Sequence, residues 1–390
     1  MIARIIIPLL FLLVLPELYI DLHYLRHRTH YGLKRRLLWW LPTVVLVVWA
    51  VWLAMDPNFA PENTQLLFWF LFLLGLLTVP KALFALCSFT GWRWCKMRHK
   101  RINWGNLIGI LLAIYAVVMV VYGSTVGMSQ LKVRQLDIVS ADLPEAFDGY
   151  RIVQFSDIHV GTCTGSRQPM VQRVVDSINA QRPDAIVFTG DIQNLGPQEL
   201  YPFLQTLSSL HAPDGVFSVL GNHDYSYYLR GADDAVKAAN ERETISRQRQ
   251  MGWTLLMNEH QAIRRGNDSI VVAGMENLSR EPYPHNGDAR KAMQGVAPGA
   301  FTVMLQHDPA AWEQDILPNT SAQLTLSGHT HGGQLKILGW SPLSVINKHV
   351  SGLYQHEGRS LFVTNGVSGL LPFRYGVAGE IVVITLHRQK

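Results

Sequence analysis

Cysteine is scarce in this chain of 390 residues, which has 3: Cys87, Cys95 and Cys163. That excludes a disulfide framework, and the Cys87…Cys95 pair has no further thiolate partners for a zinc site. Charge is scarce too. Asp, Glu, Lys and Arg make up 16% against 48% hydrophobic residues, which excludes a disordered chain. There is no internal repeat and no low-complexity tract, so solenoids and collagen-like rods are also out. The most telling shortage is of acidic residues early in the chain. Residues 1–129 hold 4 Asp/Glu against 12 Lys/Arg, whereas residues 130–390 hold 25 against 22. Eight of the 11 Trp fall in the first stretch. The net charge of +5 and the pI near 9.1 therefore describe neither half.

What residues 1–129 do have is long apolar runs: Ile5–Tyr24, Leu37–Met55, Leu66–Leu86 and Leu107–Tyr122. A helical membrane span needs about 20 largely apolar residues, so the reading is an all-α region of about four spans. Pro16, Glu17 and Asp21 interrupt the first run, which reads as a kinked span, a re-entrant piece or a signal-like segment. No small-residue cleavage site follows, and we take it as a span. Glu17 is either a functional intramembrane carboxylate or an interfacial one. Trp39, Trp40, Trp104 and Tyr122 at run ends fit an interfacial belt. Two connectors are basic, one with Arg26, Arg28, Lys34, Arg35 and Arg36, the other with Arg93, Lys96, Arg98, Lys100 and Arg101. Asp56–Gln65 has neither Lys nor Arg. Basic loops stay cytoplasmic, which puts everything after Gly123 on the outer face. The lipid bilayer is the partner these charges imply, and nucleic acid is not expected.

From residue 130 the pattern changes. Short β-branched runs alternate with helical stretches, and that argues a layered α/β domain over residues 130–390. Expected strands are Leu131–Val139, Tyr150–Ser156, Ala185–Thr189, Gly215–Leu220, Trp253–Met257, Ser269–Ala273, Phe301–Gln306, Gln323–Leu326, Leu361–Thr364 and Ile381–Leu386. Expected helices are Pro169–Gln181, Pro197–Leu210, Ala232–Met251 and Pro309–Leu317. Fewer helices separate the late strands, so part of the sheet is expected to be mixed or antiparallel.

Several of these strands end at metal-ligand residues. Tyr150–Ser156 runs into Asp157-Ile158-His159 and Ala185–Thr189 into Gly190-Asp191. Gly215–Leu220 runs into Gly221-Asn222-His223-Asp224, Phe301–Gln306 into His307, and Gln323–Leu326 into Ser327-Gly328-His329-Thr330-His331-Gly332-Gly333. Ligands gather beyond the carboxyl ends of strands in α/β sheets. Two cations about 3.5–4 Å apart need a shared ligand, and a carboxylate can bridge them. Carboxylate, imidazole and amide oxygen donors favour manganese, iron or zinc over a thiolate-type site.

The order D-x-H, G-D, G-N-H-D, a lone His and G-H-x-H resembles the calcineurin-like metallophosphoesterases, over about Tyr150–Leu386. Ser327–Gln334 and Leu371-Pro372-Phe373-Arg374 look most like the membrane-anchored bacterial phosphohydrolase branch. The resemblance implies a four-layer sandwich of two mixed β-sheets flanked by helices. It also implies that Asp157, His159 and His331 hold one metal, that Asn222, His307 and His329 hold a second, and that Asp191 bridges. His223 would serve the leaving-group oxygen, oriented by Asp224, while a metal-bridging hydroxide attacks phosphorus in line. Two divalent cations are implied, manganese first, with iron or zinc as alternatives.

Most remaining histidines read as structural or surface groups: His211, His260, His285, His349, His356 and His387. Asp308 reads as a helix cap, Asp184 and Asp214 as turn residues, and Cys163 as a small loop residue. The substrate is open among phosphodiester, pyrophosphate and phosphomonoester, and a lipid-linked or membrane-derived compound is one possibility. Tyr225, Tyr227 and Tyr228 are either a pocket wall or packed loop residues, and Arg230, Arg280 and Arg374 are either phosphate partners or surface groups. The expected location is a bacterial inner membrane with the catalytic domain periplasmic. The alternatives are a cytoplasmic UDP-diacylglucosamine-type pyrophosphatase and a non-enzymatic sensor or scaffold for a phosphorylated ligand.

Overall fold

A computed structural model describes residues 2–27, 32–59, 61, 63–279 and 284–389. Arg28 and Arg280 lie outside the described residues. The chain forms two compact units, Met1–Val126 and Gly127–Lys390.

In the first unit four helices are long and apolar enough to cross a membrane: α1 (Ile2–Leu25), α2 (Leu33–Ala54), α3 (Thr64–Met97) and α4 (Trp104–Gly127). Helices suit this role because every backbone polar group is satisfied within the segment. Proline strains an interior turn by clashing with the carbonyl four residues back. In α3 a widened π-turn, Leu74–Thr78, directly precedes Pro80. The polar residues that interrupt the first apolar run are buried and paired. Glu17 lies 2.8 Å from Lys81, and Asp21 lies 2.7 Å from Arg36 and accepts from Trp40 at 3.3 Å. Helices α3 and α4 approach closely at Gly105, where a side chain would collide with the Cys87 carbonyl.

The second unit is built from two six-stranded mixed sheets. The first holds β1 (Leu131–Ser140), β2 (Arg151–Phe155), β3 (Ala185–Phe188), β4 (Val216–Ser218), β5 (Thr254–Leu255) and β12 (Gly379–Arg388), in the order β1-β12-β2-β3-β4-β5. Strands β2 to β5 run parallel, and β12 pairs antiparallel with β2. The second sheet holds β6 (Glu259–Arg265), β7 (Asp268–Gly274), β8 (Thr302–Leu305), β9 (Leu324–Ser327), β10 (Gly352–His356) and β11 (Arg359–Val363), in the order β10-β11-β9-β8-β7-β6. Its middle four strands are parallel and its two edges antiparallel.

The layering follows from side-chain alternation along each strand. In β2, Ile152 enters the core between the sheets with Val187, Phe217, Val303 and Leu326. Val153 and Phe155 face the other way, onto α5 (Pro169–Asn179) through Val171, Val174 and Val175. A third cluster, with Met304, Ala311 and Trp312, covers the outer face of the second sheet. All ten expected strands are present, and most of them are buried on both faces and read as near-continuous apolar runs. The two extra strands, β6 and β10, are edge strands with mostly exposed or half-buried residues.

Candidate functional site

The parallel strands of both sheets bring their carboxyl ends to one place. Asp157 and His159 follow β2, Asp191 follows β3, Asn222 follows β4, His307 follows β8, and His329 and His331 follow β9. Five of these seven residues take a left-handed backbone: Asp157 (φ 54), His159 (φ 45), Asp191 (φ 61), His329 (φ 73) and His331 (φ 52). Such conformations are costly for residues with a Cβ and cluster at functional sites. Here they turn the chain sharply at the strand end, where the side chains converge. Glycine supplies the clearance. A Cβ on Gly328 would lie 2.4 Å from Asp157 Oδ2, and one on Gly221 would lie 2.2 Å from Asp191 Oδ1.

Three sets of donor atoms lie within 4.8 Å of one another: Asp157, His159 and His331; His159, Asp191 and His223; and Asp191, His307 and His329. Asp191 Oδ2 is 3.6 Å from His159 Nε2 and 3.1 Å from His307 Nε2. His331 Nε2 is 3.7 Å from Asp157 Oδ1. His329 Nδ1 is 2.9 Å from Asn222 Oδ1 and 3.2 Å from His307 Nε2. The Asn222 amide is oriented by its Nδ2, which donates to Tyr228 Oη at 2.8 Å.

These groups fit divalent cations. His159 Nε2, which faces the Asp191 carboxylate at 3.6 Å, is buried without a hydrogen-bond partner, which is costly unless something else binds there. Burial holds the imidazoles of His159 and His331 far below the ordinary value, at about 3, so their lone pairs stay available. Burial would also lower His307, but the Asp191 carboxylate overrides it and raises the ring to about 10. Asp191 is itself held well below the carboxylate range, because the neighbouring histidines outweigh its burial. A proton shared in that pair sits where a cation would sit.

The groups that orient these donors come largely from the loop after β3. Asn194 Oδ1 meets His159 Nδ1 at 2.9 Å, and the Asn194 carbonyl meets His223 Nδ1 at 2.7 Å. Glu199 holds that loop by accepting from the backbone N–H groups of Asn194 (2.6 Å) and Leu195 (2.9 Å). His307 Nδ1 donates to the Thr189 carbonyl at 2.7 Å. No sequence pattern singles out Asn194 or Glu199; only their place after Asp191 hints at them.

Two expectations need correction. Asp224 was expected to orient His223, but its carboxylate accepts from the N–H groups of Gly221 (2.8 Å), Asp191 (2.9 Å) and Ile192 (2.9 Å). It is a brace between two strand-end loops. Burial and the nearby Asp191 charge push it up to about 7. Arg374 was offered as a phosphate partner, yet it is buried and donates to the carbonyls of Asn365, Gly366, Ser368, Ala378 and His331. It props the turn beneath His331 from below. The tyrosine cluster divides. Tyr225 is buried, Tyr227 is exposed, and Tyr228 stacks on His223 with ring centroids 4.1 Å apart. Asp308 caps the following turn through Ala310 N–H, and its other oxygen lies 3.8 Å from His329 Nε2. Cys163 is a buried thiol that burial pushes up to about 11.

Residues 150–333 match the family model for the calcineurin-like phosphoesterase domain, and residues 3–128 match that for a probable calcineurin-like phosphoesterase transmembrane domain. An uncharacterized metallophosphoesterase of Bacillus subtilis is 30% identical over 64% of this chain and 83% of its own length. A zebrafish transmembrane protein with metallophosphoesterase domain is 30% identical over 71% of this chain, which spans 62% of that relative. The UDP-2,3-diacylglucosamine pyrophosphatase LpxG of Chlamydia trachomatis is 27% identical over 62% of this chain and 86% of its own length.

Proposed function

This chain belongs to the calcineurin-like phosphoesterases with a transmembrane domain, and on that premise we propose an integral-membrane hydrolase of phosphoric esters with a centre for two divalent cations. The observation that carries the reading is the convergence of Asp157, His159 and His331 on one side of Asp191 and of His307 and His329 on the other. The first three would hold one cation, Asn222, His307 and His329 would hold the second, and Asp191 would serve both. Manganese is the first candidate, given the mixed oxygen and nitrogen donors. Bound there, the cations supply charge neutralisation at the phosphoryl oxygens and a water that is acidic near neutral pH.

The chain's own residues do the rest. The Asn194 carbonyl accepts the Nδ1 hydrogen of His223, so Nε2 is the nitrogen left to serve the leaving-group oxygen, as proton donor when the ring is protonated or as charge stabiliser. Tyr228 restrains that ring by stacking on it, and Asp224 keeps the two strand-end loops in register.

Phosphodiesters and pyrophosphates come first as substrates, lipid-linked compounds among them; the membrane spans and the pyrophosphatase relative support that choice. The basic connectors support a bacterial inner-membrane protein with its catalytic domain outside the cytoplasm. A reporter fused after Lys390 is then active only outside the cytoplasm, and cytoplasmic activity reverses the orientation. In that case a UDP-diacylglucosamine-type substrate becomes the better choice.

The catalytic reading is tested with the purified full chain, Mn²⁺ and bis(p-nitrophenyl) phosphate. Wild type hydrolyses the diester, while Asp191→Ala and His223→Ala lose most of the rate. Equal rates in all three proteins would leave a ligand-binding sensor as the reading.

A further inference from the structure

Immediately after His331 the chain leaves the site as a projecting apolar loop. Ile337 and Trp340 exchange backbone hydrogen bonds at 2.9 and 3.1 Å around a two-residue turn, Leu338-Gly339. Both turn residues have positive φ, 50° at Leu338 and 83° at Gly339. Asn and Gly are the usual occupants of such turns. Here a leucine takes the strained position and is fully exposed, at 102%. Trp340 is 55% exposed, and at the end of the short helix Pro342–Val345, Val345 and the next residue Ile346 are 74% and 75% exposed. Of the eleven large apolar residues exposed in the second unit among the described residues, five fall between Ile337 and Ile346. Exposed apolar side chains scattered singly are normal, but a concentrated patch marks an interaction surface.

Charge narrows the choice of partner. From Ile316 to His356 there is no Asp or Glu; at the ends of the apolar stretch Lys336 Nζ donates to Ser351 Oγ at 2.6 Å and Lys348 pairs with Glu313. A tip of leucine, isoleucine and tryptophan in a stretch without acidic residues matches a bilayer interface, where Trp sits at headgroup level. A flat protein interface would not need a single leucine raised on a two-residue turn. The same chain carries four helices of membrane-crossing length, so a bilayer is always within tethered reach. A second contact then forms at high effective concentration, and modest apolar area suffices.

The root of the loop is fixed to the site. Gln334 Nε2 donates to the carbonyls of Leu371 (2.7 Å) and Phe373 (3.1 Å), and Lys336 N–H donates to the Tyr375 carbonyl at 2.8 Å. A Cβ on Gly333 would lie 2.1 Å from Ser341 Oγ, so the loop folds back against the turn that carries His331.

We propose that Leu335–Lys348 is a membrane-inserting loop, with Leu338, Trp340, Val345 and Ile346 entering the bilayer interface beside the His331 rim of the centre. Its consequence, that phosphate esters of lipids reach the centre from the bilayer surface, rests on the phosphoesterase reading above.

The test uses the full chain in nanodiscs of phosphatidylethanolamine and phosphatidylglycerol, with Cys87→Ser and Cys95→Ser as background. An environment-sensitive fluorophore is placed by Leu338→Cys, Ile346→Cys or, as an exposed control, Gln294→Cys. Doxyl-labelled lipid should quench positions 338 and 346 and spare 294. Quenching no greater than at 294 overturns the proposal. Shielding from aqueous iodide without lipid quenching also overturns it, in favour of a protein partner such as a second copy of the chain.

In a second arm, Leu338→Asp combined with Ile346→Asp should lower hydrolysis of a bilayer-embedded phosphodiester by about tenfold while leaving the soluble chromogenic diester unchanged. An equal fall on both substrates overturns the access role. If wild type hydrolyses neither, the phosphoesterase reading fails, and the quenching result still decides the insertion.

Discussion

The two units bury charge in opposite ways. In the membrane unit each buried carboxylate meets a cationic side chain, Glu17 with Lys81 and Asp21 with Arg36. In the catalytic unit the orienting contacts are largely to backbone. Asp224 and Glu199 accept N–H groups, while His307 and His223 point Nδ1 at carbonyls. Pairing with an opposite charge ends a group's electrostatic demand, which is what a low-dielectric bilayer requires. Holding by backbone dipoles fixes a group's direction and leaves its remaining atoms available. Asp157, Asp191, His223 and His307 are held in this second way, while His159 and His329 lean on the neutral side-chain amides of Asn194 and Asn222, which is how buried donors are kept ready for metal.

The largest expected effect tests the available charge. Asp191→Ala removes the shared carboxylate, so hydrolysis should fall by roughly a thousandfold or more and metal content, read by elemental analysis, should drop with it. His223→Ala should cost about a hundred- to ten-thousandfold in rate with metal content kept. If both variants kept metal and rate, the contrast between the units would have no chemical meaning.

The paired charges come next. Glu17→Gln leaves Lys81 without its counter-charge and should destabilise the protein by about 3 kcal/mol, read by thermal unfolding in nanodiscs, with the rate per folded molecule unchanged. Adding Lys81→Met should restore most of that stability. A fall in rate without a fall in stability would move Glu17 from structure to function.

Asn194→Ala strips His159 of its Nδ1 partner and should weaken metal affinity by about ten- to a hundredfold, measured by competition with a chelator. The smallest effect is at Glu199, whose carboxyl burial raises to about 7 from 4.5. The folded state therefore binds this proton more tightly than the unfolded one. Its stabilising contribution is complete below about pH 4.5 and is lost as pH rises through about 7. Glu199→Gln should flatten that stretch of the stability–pH curve, and an unchanged slope would assign the loss to another group.

The strands that position the site were legible because they are buried on both faces. Ala185–Phe188 is apolar without interruption, Ile152–Phe155 is broken only by Gln154, and both stop at a ligand-bearing turn. Strand β6, Glu259–Arg265, buries only Ile263, and an edge strand of that kind leaves almost no hydrophobic signal. The metal-ligand candidates were legible as residue types at strand ends. Asn194 and Glu199 were not, since they act through a carbonyl, an amide and two loop N–H groups that only folding brings together. Arg374 misled for the same reason: a guanidinium reads as a phosphate partner until its carbonyl cage is seen.

Composition and local order alone determined that there are two parts, one apolar and basic and one balanced in charge, and which side chains are candidates to hold metal. Both depend on what each residue is, so a linear reading suffices. Tertiary structure decided which charges are neutralised and which are left available, because that depends on distance between residues far apart in sequence. Glu17 lies 64 positions from Lys81 and is paired at 2.8 Å. His307 lies 22 from His329, yet their ring nitrogens stand 3.2 Å apart facing one centre.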